Sequence, residues 1–147
     1  MDVPYAIQQF LAADLGVQAS VRAGYAWPVS MPNGVALLDL DESVDAAMPI
    51  ETVLVRVGGG SGGYTTLQLN DQRLVTFSYG ATMHLAWNLD GAVYAALKNL
   101  TPGIWAKTYL HWVHASTRGN ELRDPNTQWP FILSIWQVRA SDLTIGP

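Results

Sequence analysis

Residues 73–139 change hydrophobic period twice, and those changes constrain the fold more than any other feature. Arg73-Leu74-Val75-Thr76-Phe77-Ser78-Tyr79 alternates with a period of two and stops at Gly80. Residues 82–100 then place Leu85, Leu89, Val93, Ala96, Leu97 and Leu100 at helical spacing, with Thr82 as a cap and Pro102-Gly103 as a stop. Two aromatic-rich alternating runs follow, residues 105–115 and 129–138. The order is strand, helix, strand, strand, which predicts an α+β domain spanning 1–147. Its expected core is an antiparallel sheet of about four main strands with two helices packed on one face.

The first of those helices is expected near the N-terminus. Asp2 can cap it, Pro4 suits its first turn, and Ala6, Ile7, Phe10 and Leu11 form one face before Gly16. Residues 17–33 read as irregular, and residues 35–40 as an edge strand. Residues 51–57 form a strand with Val53, Val55 and Val57 on one face. Gly58-Gly59-Gly60-Ser61-Gly62-Gly63 should be a flexible loop, Asn70-Asp71 a turn, and residues 116–128 a polar loop between the last two strands. Gly91 lies mid-helix among alanines and suggests close packing there. In the strand over 105–115, Trp105, Lys107, Tyr109, His111 and Val113 should share one face, with Leu110 and Trp112 on the other. Both faces of the last two strands are apolar, whereas a half-solvated antiparallel sheet shows one polar face. Helices would cover one face and a neighbouring subunit part of the other.

Composition points the same way. The 147 residues are 49% hydrophobic but only 14% charged, against about a quarter in ordinary soluble domains. So few charges leave apolar surface to be buried against other chains, and six Trp with six Tyr suit that role. A net charge of −4 argues against general nucleic-acid binding. The absence of Cys removes disulfides, thiolate metal sites and Cys nucleophiles. No apolar run approaches a membrane span, and Met1-Asp2-Val3-Pro4 does not open a signal peptide.

Catalytic motifs are present only as strings. Residues 58–63 satisfy G-x-G-x-x-G, yet the following Tyr64-Thr65-Thr66-Leu67-Gln68-Leu69 reads as extended chain. A dinucleotide site needs a helix N-terminus there. The same segment satisfies G-x-S-x-G through Ser61, with Asp90 and His111 or His114 downstream in hydrolase order. A serine among glycines is poorly fixed for nucleophilic attack. His111 and His114, three apart on a strand, should face opposite ways and make no metal pair. Asp39, Asp41, Glu42 and Asp45 lack the glycine and final glutamate of a calcium loop. No cofactor and no catalysis are expected, which makes a small hydrolase using Ser61 the minor alternative. A ligand-binding domain with an aromatic pocket is another.

Three segments together resemble the tail terminator (tail completion) proteins of long-tailed bacteriophages. They are the strand 51–57 with its glycine loop, the run Leu74-Val75-Thr76-Phe77-Ser78-Tyr79-Gly80 entering the helix 81–100, and Asp124-Pro125-Asn126-Thr127-Gln128-Trp129-Pro130 opening the last strand. In such proteins a strand ends in a Tyr-Gly pair and a Trp-Pro pair begins the final strand. The resemblance implies a structural virion protein that forms a ring, a hexamer, on the head-proximal end of the tail tube. The ring stops tube polymerisation and presents a joining surface to the head. It further implies three partners: the tail tube protein, a head completion or connector protein, and DNA passing through without sequence-specific binding. Its location would be the virion, with the host cytoplasm as the place of assembly. Another head-tail connector or a tail tube subunit is the nearest alternative. Expected interface residues are Gly58, Gly60, Ser61, Gly63, Tyr64, Trp105, Trp112, Arg118, Arg123 and Trp136. Asp39, Asp41, Glu42 and Asp45 would line the channel or a polar subunit boundary.

Overall fold

A computed structural model of the chain describes residues 3–21, 35–37, 52–60, 69–123 and 128–142. Helix α1 spans Val3–Ala13 and buries Val3, Ala6, Ile7 and Leu11, the spacing of one helical face. Its partner α2, Leu15–Ser20, begins one residue later because Asp14 accepts a hydrogen bond from the Val17 amide at 3.0 Å. The break is therefore an N-cap at Asp14, and Gly16, expected as the stop, lies inside α2. Residues 17–20, expected to be irregular, are helical.

Among the described residues the sheet has six strands, where about four main strands and an edge strand at 35–40 were expected: β1 Val35–Leu37, β2 Thr52–Gly60, β3 Leu69–Tyr79, β4 Gly103–Trp105, β5 Thr108–Arg123 and β6 Pro130–Asp142. Their order is β1-β2-β3-β6-β5-β4, antiparallel throughout except that β1 pairs with β2 in parallel. Helix α3, Met83–Lys98, connects β3 to β4, with the Thr82 hydroxyl accepting from the Leu85 amide.

Several expected loops are strand. The glycine run continues β2 through Gly60, with a register shift between Val57 and Gly60. Asn70-Asp71 is not a turn but part of β3, paired with Ala140 and Arg139 of β6. The polar segment from Ser116 to Arg123 is the second half of β5 and pairs with β6 to Pro130. Polarity misled the reading because this half of β5 is exposed, and an exposed strand needs no apolar alternation.

Conversely, the run 105–115 is two strands. Ala106 and Lys107 take φ of 49° and 60° and turn the chain between the paired Trp105 and Thr108. A two-residue turn with two positive φ values matches the right-handed twist of a hairpin.

A bulge then resets the faces of β5. Leu110 pairs with Ala140 but Trp112 with Arg139, so His111 is an extra residue. Leu110 and Val113 join the helix-side core. His111 reaches Ser141, 2.9 Å away, and the His114 ring meets Trp112 at a tilt, 4.6 Å between centres. Both histidines therefore lie on the sheet face away from the helices, not on opposite faces.

The main core lies between the helices and one sheet face. It joins Ile7, Leu11 and Val17 of the first two helices and Leu89, Val93 and Leu97 of α3 to Val53, Val55, Leu74, Trp136 and Val138 of the sheet. The opposite face carries a smaller cluster in which Leu54, Tyr79 and Phe131 are buried against Phe77, Trp129 and Leu133. Among the described residues, no helix contributes to that second cluster.

Candidate assembly surfaces

The second cluster is an aromatic patch on the sheet. Phe131 sits 5.0 Å from Tyr79 and 5.6 Å from Phe77, ring centre to ring centre. Farther along the same face, Arg139 pairs with Asp71 through two bonds, Nε to Oδ1 at 2.7 Å and Nη2 to Oδ2 at 2.8 Å. Arg139 also lies 5.3 Å from the centre of the Trp112 ring. The Arg139 guanidinium, mainly by hydrogen bonding and then by charge, holds the Asp71 carboxyl below the usual carboxylate range, although burial opposes it. Tyr109, His111, Trp112 and His114 continue as a row of partly exposed rings along β5.

A second group sits where α3 crosses the outer half of β5. Trp87, Asp90 and Tyr94 occur at i, i+3 and i+7, one stripe of the helix. Trp87 donates from Nε1 to Glu121 Oε1 at 2.6 Å. Its ring also lies over Gly119, whose φ is +78°. Arg118 places its guanidinium 3.9 Å from the Tyr94 ring centre. Asp90 is fully buried; Ser134 Oγ donates to its Oδ1 at 2.9 Å and in turn accepts from the Gly119 amide at 3.2 Å. Arg118 Nε is 3.7 Å from Asp90 Oδ2, which among the described residues has no hydrogen-bond donor. Burial raises the Asp90 carboxyl above its ordinary range, against the opposing pull of Ser134 and Arg118.

The residues expected at interfaces fall in different environments. Trp136 is 1% exposed and donates from Nε1 to Thr76 Oγ1 at 3.0 Å, so it belongs to the core and not to the surface. Trp105 is half-buried and meets Phe10 of α1 edge-on at 5.5 Å, which ties β4 to the first helix. Trp112 is half-buried on the face away from the helices. Arg118 and Arg123 are exposed on the outer half of β5, where Arg123 Nη1 donates to the Gln128 carbonyl at 3.1 Å. Gly58 and Gly60 lie in β2. Ser61, Gly63, Tyr64, Asp39, Asp41, Glu42 and Asp45 lie outside the described residues.

Asp90 is buried on the helix side of the sheet and both histidines of β5 are on the other. The Asp–His pair that a Ser61 hydrolase would need is not assembled. The α3–β5 group was not anticipated. Its one legible sign is Asp90, the lone acid of a mostly apolar helical run.

No protein-family model matches the chain, and no curated protein matches it. Among solved structures, it is similar to a chain of the "Virion of native gene transfer agent (GTA) particle". The TM-score is 0.56 at 15% identity, and the match covers 92% of each chain. At that identity the likeness is one of fold, and it extends over nearly the whole of both chains.

Proposed function

We propose that the chain is a structural virion protein, a tail terminator. In this reading it forms a ring, a hexamer, on the head-proximal end of the tail tube and carries out no catalysis. The observation that carries the proposal is the whole-length fold likeness to a chain of a gene transfer agent virion. The low charge adds to it, since it suits a protein that buries surface against neighbours. The pairs Tyr79-Gly80 and Trp129-Pro130 are those of the tail terminator resemblance.

The partners that follow are further copies of the chain, the tail tube protein and a head completion or connector protein, with DNA passing through the ring. Fold alone does not fix this role, so the test must read assembly. Negative-stain images of the protein mixed with tail tubes should show a single added ring at one tube end. Self-stacking into long tubes would instead identify a tube subunit. Binding to heads without tubes would identify another connector. A protein that stays monomeric and binds neither would overturn the proposal.

A further inference from the structure

The outer half of β5 is held to the body by an unusual junction. Residues 116–123 are exposed except for half-buried Gly119. The pairing of β5 with β6 shifts register between Ala115 and Thr117 and again between Thr117 and Asn120. Such irregularities weaken a ladder locally. Besides the Trp87–Glu121 bond and the Arg118–Tyr94 contact, a relay across three elements fastens the segment to α3: Gly119 N–H to Ser134 Oγ, then Ser134 O–H to Asp90 Oδ1. The relay ends on a carboxylate with no exposure to water. Its other oxygen has no hydrogen-bond donor among the described residues. The nearest cation, Arg118, is 3.7 Å away, 44% exposed, and stacked on Tyr94. An ionised carboxylate so placed is poorly compensated, and opening the junction would return it to water.

We propose that residues 116–123 form an arm that Asp90 latches against α3, and that the latch tightens when Asp90 takes up a proton. The groups around Asp90 set this direction. From β5 it faces Arg118, and from β6 it faces Ser134. Glu121 is taken up by Trp87, and Thr76 of β3 accepts from Trp136. Along α3, Lys98 lies 5.8 Å from the Tyr94 ring centre. Arg118 is thus the one charge paired with Asp90 among the described residues, and its half-solvated position leaves burial dominant. A carboxyl whose proton affinity is greater in the closed form favours closure at low pH. That contribution is lost as pH rises through the closed-form value. The arm is therefore released most readily at neutral and alkaline pH, independently of whether the protein forms a ring.

Native-state hydrogen exchange tests this on the whole chain. Protection of residues 116–123, corrected for intrinsic exchange, should rise as pH falls from neutral to below the ordinary aspartate value of about 4. The full rise equals the ratio of the Asp90 proton affinities in the closed and open forms and is reached only below the open-form value. Amides at the centre of β3 should not follow that trend. Asp90→Asn, which keeps a carbonyl for Ser134 and cannot ionise, should remove the pH dependence from the arm. Arm protection that is flat with pH in the wild type would overturn the proposal, as would a trend that survives Asp90→Asn. If that variant fails to fold, carbon NMR of the wild-type Asp90 carboxyl decides instead. Its titration must coincide with the change in arm protection, and a mismatch between the two refutes the latch.

Discussion

The amide of Gly80 donates to the carbonyl of Pro130 at 3.2 Å. This bond joins the two residue pairs that most suggested a family, Tyr79-Gly80 and Trp129-Pro130, at one corner of the sheet. Tyr79 pairs with Phe131 in the ladder, and their rings meet on the face away from the helices. On the other side of Gly80 the first turn of α3 closes in. A Cβ on Gly80 would lie 2.3 Å from the Ala86 amide nitrogen and 2.8 Å from the Leu85 carbonyl carbon. Both are helix backbone and cannot swing aside. Gly80 is thus where the chain turns from strand to helix and where the helix lands.

Two glycine substitutions should therefore have opposite signs. Gly80→Ala forces α3 away from the sheet and should destabilise by about 3 kcal/mol, the upper part of the range for overpacking. Gly91→Ala meets nothing among the described residues within 4 Å of the new methyl. Among the described residues nothing packs closely on Gly91, so alanine should stabilise by roughly 0.5–1 kcal/mol through helix propensity. Urea denaturation of both variants measures this. A stable Gly80→Ala protein would mean the helix landing is looser than described.

The turn between β4 and β5 offers a second gain. Ala106 and Lys107 both hold positive φ, a conformation that residues with a Cβ adopt at a penalty. Replacing the pair by Asn-Gly supplies the residues such a turn favours and should stabilise by about 1 kcal/mol. A thermal melt several degrees higher is the expected result. An unchanged or lower melting temperature would show that the turn carries no strain.

That turn also explains why part of the fold was hidden in the sequence. The chain spells a hairpin with Ala-Lys where glycine or asparagine is usual, so Trp105 read as continuous with the strand after it. The same limit applied to residues 116–123. They are strand because β6 pairs with them, and their exposed side chains left no period to read. Where a core enforced the pattern the elements were legible: α3 with nearly its observed bounds, β3 and β6 over their core-facing stretches but without Leu69–Gln72 and Arg139–Asp142. The bulge at His111 lies between these cases: Leu110 and Val113 both face the core, and only an extra residue reconciles them. Asp90 was visible as a letter, but its relay through Ser134 and Gly119 joins residues far apart in the chain.

The Asp71–Arg139 pair predicts a stability change in acid. The folded form lowers the affinity of Asp71 for its proton. The stabilisation is therefore present above the unfolded-state value and lost as pH falls through the lower, folded-state value. Arg139→Gln should cost roughly 1 kcal/mol at neutral pH, after allowance for the pair's partial exposure and solvent screening. The difference between wild type and variant should shrink toward acid. A constant difference at every pH would mean that Arg139 acts through packing on Trp112, not through the carboxylate.

The last prediction concerns Trp136, the largest fully buried side chain among the described residues. It combines two sources of stability, an indole that fills the space between the sheet and α3 and an Nε1–H that donates to Thr76 at 3.0 Å. Trp136→Phe keeps part of the volume but removes the donor and opens a small void, and should destabilise by about 2–3 kcal/mol. Thr76→Val keeps the volume of threonine but leaves the indole N–H buried without this acceptor, at a loss of about 1–3 kcal/mol. The double variant removes both ends of the bond, so its loss should be smaller than the sum of the two single losses by about 1 kcal/mol. A thermodynamic cycle from chemical denaturation reads that coupling. Strict additivity would mean that the bond contributes nothing and that Trp136 stabilises the core by volume alone.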